Sequence, residues 1–347
     1  MVARKEKFDV FKALKQKANK NNFLFQAQID LTYECNAKCF FCFQGNTHTD
    51  SITGLSYDQI CILLNDLRRL GCFYIGFSGG EPFFRKDIIS IVQYAKKLGF
   101  MISIVTNLQL PSTETILEFS KIGVNRTTVS FHAIDERLYC NIFKVSSVEY
   151  HRALSNINTL ISAKNSVSIA ATISIYNYTE MDKIKRYFMS LGLSDRDINF
   201  NMLIQGRNDI QGCRDSDGFY EYLAANRDLK SNIIEKNDGF MCAAGRITCT
   251  IGPYGDVFPC AFLNASAGNV KDSSLEDIWN DSHLFKFLRS LDETYFSQCV
   301  ICDNNKYCHI CMANNMNEMG VFHTPTESYC EFRKKLTQNL AVDKESS

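Results

Sequence analysis

The sequence predicts an α/β fold: six strand–helix units that make a partial (β/α)6 barrel of the TIM type, followed by a cysteine-rich C-terminal part. Three observations predict it. Short β-branched runs alternate with amphipathic stretches from residue 24 to about 204, which implies parallel strands joined by right-handed crossovers. Polar and glycine-rich segments fall where those strands end, the side on which α/β folds build their sites. Eight of the fifteen cysteines lie between residues 242 and 330. An open doubly wound sheet fits the same alternation.

The first twenty residues carry seven Lys or Arg against two acids. They read as a solvated basic helix that frays, and they lack the apolar run of a secretory signal. Strands are expected at 24–32, 73–77, 101–105, 126–131, 167–174 and 197–204. Between the first two, SYDQICILLNDLRRLG offers Ser56 as N-cap and Gln59 three residues on, the pattern of a capping box. Leu63, Leu64 and Leu67 then share one face, and Gly71 stops the helix. DIISIVQYAKKLG and YTEMDKIKRYFMSLG read the same way. Further on, TIGPYGDVFPC is a hairpin signal around Pro253 and Gly255 that delivers Cys260 at its far end. LEDIWNDSHLFKFLRSL is a helix anchored in the core by Trp279. The expected organisation is a basic segment 1–22, a barrel domain 23–235, a cysteine-rich domain 236–335 and a tail 336–347.

The bulk numbers exclude some functions. With 38 basic and 38 acidic residues among 347, the net charge is zero, which gives no support to a nucleic-acid partner. No apolar run reaches the length of a membrane span. Without a secretory signal the chain is expected in the cytoplasm, where cysteine pairs are metal or cluster ligands more often than disulfides.

The loop after the first strand, YECNAKCFFC, places Cys35, Cys39 and Cys42 at C-x3-C-x2-C spacing. Three thiolates can hold three corners of a cubane iron–sulfur cluster and leave one iron open for a reactant. A zinc site completed by a distant residue such as His48 uses the same ligands. The loop after the second strand reads SGGEP, and Gly79, Gly80 and Glu81 allow close backbone approach plus a carboxylate for an ammonium group. The third strand ends in TNLQ and the fourth in SFHAIDER. In the tail, Cys299, Cys302, Cys308 and Cys311 form C-x2-C-x5-C-x2-C, a strong ligand signal that spacing alone does not assign to zinc or iron.

Together these motifs resemble the radical S-adenosylmethionine (radical SAM) superfamily. Cys35, Cys39 and Cys42, with the aromatic Phe41 before the third cysteine, are similar to its signature loop, and SGGEP is similar to its methionine-binding motif. The resemblance implies that S-adenosyl-L-methionine chelates the open iron. It places Gly79, Gly80 and Glu81 at the methionine amino group and the backbone around Phe41 at the adenine. Thr106 and Asn107 match the TNG turn, with Leu108 where glycine is usual, and Ser130 takes the ribose or carboxylate contact. His132 reads as structural, and Asn177 is a weaker candidate.

From Cys242 onward, C-x12-G-x4-C, a GN…IW segment, the four-cysteine block and Cys330 closely resemble the SPASM extension, which holds two auxiliary [4Fe–4S] clusters. By analogy the near cluster uses Cys242, Cys260 and Cys311, with Cys249 either a fourth ligand or a buried strand cysteine. The outer cluster uses Cys299, Cys302, Cys308 and Cys330. The expected cofactors are thus three [4Fe–4S] clusters and S-adenosyl-L-methionine, and the expected partner is an external electron donor of the flavodoxin or ferredoxin type. Relatives modify peptides by crosslinking, epimerisation, decarboxylation or oxidation, and a peptide or protein substrate is expected first. A small molecule or haem precursor is the alternative within the class. Only 34 residues precede Cys35, too few for the extra leader-binding domain of some maturases. Cys140 and Cys213 are candidate hydrogen-atom donors, while Cys61 and Cys72 read as core packing. A non-catalytic zinc-binding module is the rival reading from another class.

Overall fold

A computed structural model describes residues 10–44, 54–202, 242–305, 308, 310–327, 329–331 and 333–334. The expected boundary near 235, the tail after 335, Cys213 and His48 lie outside the described residues.

All six expected strands form, each within two or three residues of its predicted bounds: β1 (Gln26–Asp30), β2 (Tyr74–Ser78), β3 (Met101–Thr106), β4 (Arg126–Ser130), β5 (Val167–Ile173) and β6 (Ile198–Met202). They pair in sequential order and are parallel throughout. That order selects the partial barrel over the doubly wound sheet. Right-handed crossovers between neighbours put every helix on one face, and a twisted sheet then curls around the other.

The helices follow the expected signals. α1 (Val10–Asn21) precedes the sheet, and α2 (Tyr57–Arg69) starts at a Ser56–Gln59 capping box and buries Ile60, Leu63, Leu64 and Leu67. α3 (Ile88–Lys97), α4 (Thr113–Ile122), α5 (Glu136–Phe143), α6 (Ser147–Ser162) and α7 (Met181–Ser190) complete the outer layer. Strand residues facing these helices are apolar and fully buried, Ala27, Ile75, Phe77, Ile102 and Ile104 among them. The alternate residues line the barrel lumen instead.

α1 departs from its expected frayed state. Ala18 is buried against Phe25 and Ile247, and Trp279 donates from Nε1 to the Asn22 carbonyl at 3.1 Å, so the helix is docked. Cys61 also departs: it is half-buried on α2 beside Tyr57, outside the core, whereas Cys72 is fully buried.

The hairpin forms as β7 (Thr248–Ile251) and β8 (Asp256–Phe258), with Gly255 at φ 98 in the turn. Unforeseen is its partner. β7 pairs in parallel with β1, and β8 with β9 (Gly268–Asn269), so the cysteine-rich part continues the barrel's own sheet as nine strands. α8 (Leu275–Asp281) and α9 (His283–Ser290) pack behind it, with Trp279 buried. α10 (Ser297–Val300) and α11 (Met312–Met319) carry the final cysteine block.

Candidate active site

The three-cysteine loop leaves β1 and is pinned at several points. The Lys38 amide donates to the Phe143 carbonyl at the end of α5, and the Cys42 amide to the Cys39 carbonyl. Cys35 Sγ accepts from the Ala37 amide at 3.4 Å and from Asn107 Nδ2 at 3.9 Å. Burial pushes the Cys35 thiol up to about 12, with Glu81 and Cys42 adding to the rise; burial also holds Cys39 well above its usual range, with Cys42 and Cys35 adding. Desolvated thiols crowded together stay protonated unless a cationic centre takes them, and an iron–sulfur core with N–H···S donors around it supplies that charge. The donor set fits such a cluster. Among the described residues no three His, Cys, Asp or Glu side chains converge on one point for a single ion; thiolates binding different irons of one cube need not.

SGGEP closes over this loop. The Gly80 amide donates to the Thr32 carbonyl at 2.7 Å and the Glu81 amide to the Glu34 carbonyl at 2.9 Å. A Cβ at Gly79, whose φ is 126, would lie 2.2 Å from Thr32 O, and one at Gly80 2.3 Å from Glu34 O. The glycines are therefore needed first for contact between the two loops. Glu81 is fully buried and accepts from Thr106 Oγ1 and the Asn107 amide, both at 2.7 Å, and from the Phe83 amide at 3.1 Å. Its carboxylate is the joint between SGGEP and the turn after β3.

That turn keeps the glycine conformation without the glycine. Leu108 sits at φ 55 with a fully buried side chain. The left-handed backbone costs about 1 kcal/mol, and burying a leucine returns about 2 kcal/mol.

Asn107 and Gln109 extend a network that sequence reasoning missed. Asn107 Nδ2 donates to Asn36 Oδ1, Asn36 Nδ2 to Gln109 Oε1, and Gln109 Nε2 to the Tyr139 hydroxyl, at 2.6 to 2.9 Å. The TN turn marks Asn107 in the sequence, while Asn36 and Gln109 stand at loop positions with no signal of their own.

Phe41 meets His132 edge to face at 4.9 Å, and the His132 ring stacks on Phe143 at 4.7 Å. Burial drives the imidazole down to about 3 and Nδ1 accepts from the Thr172 amide, so His132 is a neutral wedge behind the loop. Asn177 is also structural: it donates to the His132 and Thr172 carbonyls and accepts from Ser174. Ser130 stands at the end of β4, half-buried, paired in register with Ala170. Cys140 lies on α5 with Glu136 and Glu149 as its charged neighbours, while the adjacent Tyr139 turns toward Cys39.

The tail cysteines fall into two groups. Cys242, Cys260 and Cys311 are electrostatic neighbours, and the Cys311 thiol caps α11 by accepting from the Asn314 amide at 3.4 Å. Cys299, Cys302, Cys308 and Cys330 line one cavity. Cys249 joins neither. It lies in β7 opposite Ala27, on the helix-facing side of the sheet, 2% exposed, with Cys72 and Arg289 as its neighbours. Strand alternation explains this, since Thr250, one residue on, faces the lumen. Cys249→Val is therefore expected to leave iron content and cluster spectra unchanged. Loss of iron from that variant, counted anaerobically, would contradict this placement.

A cavity of about 280 Å³ is lined by residues that follow Cys42 and residues that follow Cys260. Phe43 and Gln44 come from the first loop and Ala261 and Phe262 from the second, and the Phe43 and Phe262 rings meet at 4.7 Å. Asp30 lies at its edge, accepting from Gln28 Nε2 at 2.8 Å and from Gln44 Nε2 at 2.9 Å.

Residues 29–188 match the Radical SAM superfamily, and residues 242–312 match the SPASM iron–sulfur cluster-binding domain. The chain is 26% identical over 336 residues to an AdoMet-dependent heme synthase of Methanosarcina barkeri, covering 88% of this chain and 95% of that protein. It is 26% identical over 310 residues to the mycofactocin maturase MftC of Mycobacterium tuberculosis, covering 82% and 77%. The fold is shared with Streptococcus suis SuiB bound to S-adenosylmethionine, at TM-score 0.69 and 19% identity over 92% of this chain and 81% of that one. Native anSMEcpe with bound AdoMet gives TM-score 0.69 at 14% identity over 93% and 100%. Both family matches fall, in order, on the cysteine loops whose geometry is described above, and the chain belongs to the radical SAM superfamily as an enzyme with a SPASM iron–sulfur domain.

Proposed function

We propose that this enzyme modifies a peptide, using a first cluster held by Cys35, Cys39 and Cys42 and two auxiliary clusters held by the two groups of tail cysteines. When bound, the first cluster and S-adenosyl-L-methionine supply a 5′-deoxyadenosyl radical that abstracts hydrogen from a substrate carbon. The protein's part is positioning. The backbone of Gly79 and Gly80 faces the cysteine loop at the methionine end. Phe41, Thr106, Asn107 and Ser130 surround the place of the nucleoside, with Glu81 fixing Thr106 and Asn107 from behind.

The observation that carries the peptide reading is the lumen face of the sheet. Gln28, Ser103, Thr128, Ser168, Thr172 and Thr250 alternate with the buried apolar residues. Among the described residues its one guanidinium is Arg126, at the N-terminal end of β4 and paired with Asp197 at 3.2 Å. Hydroxyls and amides suit a peptide backbone, whereas a haem precursor brings several carboxylates that call for cations. The haem-precursor reading rests on the relative from Methanosarcina barkeri, of which the chain covers 95%.

The test is anaerobic. Loaded protein should carry about twelve irons, and the Cys35/Cys39/Cys42 triple alanine variant should lose about a third of them. The wild type should form 5′-deoxyadenosine with dithionite or a flavodoxin-type or ferredoxin-type donor, and the variant none. A short peptide encoded beside the gene should change mass on incubation. Turnover of a haem precursor with no peptide modified would overturn the peptide reading while leaving the enzyme class intact.

A further inference from the structure

Two arginines lie where Cys242 and Cys260 pack against Leu288 and Leu291, and neither has a counterion among the described residues. Arg246 lies in the turn before β7, and its Nη2 donates to the Leu288 and Leu291 carbonyls at 3.1 and 2.5 Å. Arg289, on α9, donates from Nε to the Gly245 carbonyl at 2.8 Å, and its guanidinium lies 4.3 Å over the Trp279 ring. Neither takes part in an ion pair among the described residues. Arg246 Nε and Arg289 Nη2 are buried and have no acceptor among the described residues.

The two cations also repel each other. Burial lowers the affinity of both for their protons, and the Arg246 charge lowers that of Arg289 further. A pair of desolvated like charges is unfavourable unless an anion lies nearby. The thiols within their field are Cys242 for Arg246 and Cys249 for Arg289, and burial raises both above their ordinary range. Cys249 is a thiol held neutral by burial. Cys242 belongs to the near group, and a thiolate-bound cubane there is anionic and becomes more so on reduction.

We propose that Arg246 and Arg289 are the built-in counter-charge of the near auxiliary cluster, raising its reduction potential and so its readiness to accept an electron. The inference rests on the assignment of Cys242, Cys260 and Cys311 to that cluster. A plainer role also exists, because Arg246 at the last carbonyls of α9 and Arg289 reaching from α9 to the Gly245 carbonyl would brace that helix whatever lies beyond them. A brace needs the hydrogen bonds; a counter-charge needs the charge.

Dye-mediated titration of the anaerobic holoenzyme, followed by electron paramagnetic resonance, separates the two roles. Cys242→Ala first identifies the near cluster by the signal and the iron it removes. Arg246→Gln and Arg289→Gln should each move the midpoint of that signal to lower potential and leave the outer cluster in place. The double variant should move it further, and Arg246→Lys and Arg289→Lys should stay near wild type. If the glutamine variants lose the near cluster's iron, its retention in the lysine variants supports the proposal. An unmoved midpoint in the double glutamine variant overturns it, as does an equal fall, or equal iron loss, in lysine and glutamine variants. If Cys242→Ala removes neither signal nor iron, the ligand assignment fails and the proposal with it, which is recognisable before any arginine is changed.

Discussion

Replacing Gly80 by alanine should destabilise the protein by about 4 kcal/mol or more, among the largest effects open to a single methyl group. The added Cβ would lie 2.3 Å from the Glu34 carbonyl oxygen and 2.6 Å from that of Tyr33. Both are backbone atoms of the cysteine loop and cannot swing aside as a side chain could. Relief requires SGGEP to lift off that loop, breaking the Gly80–Thr32 and Glu81–Glu34 hydrogen bonds. The first cluster should therefore fail to load while the tail clusters fill, with loss of about a third of the iron. Gly76→Ala is the control, since its Cβ would meet only Ser103 Oγ, at 3.4 Å. Melting curves and iron counts decide the matter. A Gly80→Ala protein that melts with the wild type and holds full iron would show that the two loops do not pack as described.

Glu81 should give the second large effect, and one that depends on pH. Burial pushes its carboxyl from 4.5 up to about 7, although the Asn107 amide, the Thr106 hydroxyl and the Phe83 amide all pull the other way. A group whose pKa is higher folded than unfolded holds its proton more tightly in the native state. Its contribution is fully present below pH 4.5, declines as pH rises, and is gone above about 7. The span is about 3 kcal/mol. Glu81→Gln should remove that slope from the cluster-free protein, as denaturant unfolding at pH 5 and pH 8 would show. Glu81→Ala should cost about 3 kcal/mol, because the buried Asn107 amide and Thr106 hydroxyl lose their acceptor. Equal pH slopes in wild type and Glu81→Gln would rule out this role.

The position of Glu81 also shows how function was legible without mechanism. The sequence marks SGGEP as part of the site, and the structure packs it against the cysteine loop. Beside the expected contact with the cosubstrate's ammonium group, the Glu81 carboxylate also holds the Thr106 hydroxyl and the Asn107 and Phe83 amides. The paired glycines likewise serve contact between two loops. In TNLQ, Leu108 stands where glycine is usual and adopts the left-handed backbone, because its side chain has a core to fill. Local pattern records which residues gather, while the partner of each is fixed by packing.

Much was determined by the sequence alone. Period-two and helical patterns, the Ser56–Gln59 capping box and the cysteine spacings gave six parallel strands, their helices, the hairpin and the ligand loops, because all of these depend on neighbours a few residues apart. The tertiary structure alone decided the rest. It paired β7 with β1, so the cysteine-rich part extends the barrel sheet. It turned Cys249 to the helix side, away from Cys242, Cys260 and Cys311. It brought Arg246 to the Leu288 and Leu291 carbonyls and Arg289 to that of Gly245, and joined Asn36, Asn107, Gln109 and Tyr139 through their side-chain amides. Each of these contacts links residues far apart in the chain, and which strand edge, face or buried donor finds which partner follows only from burying the whole sheet at once.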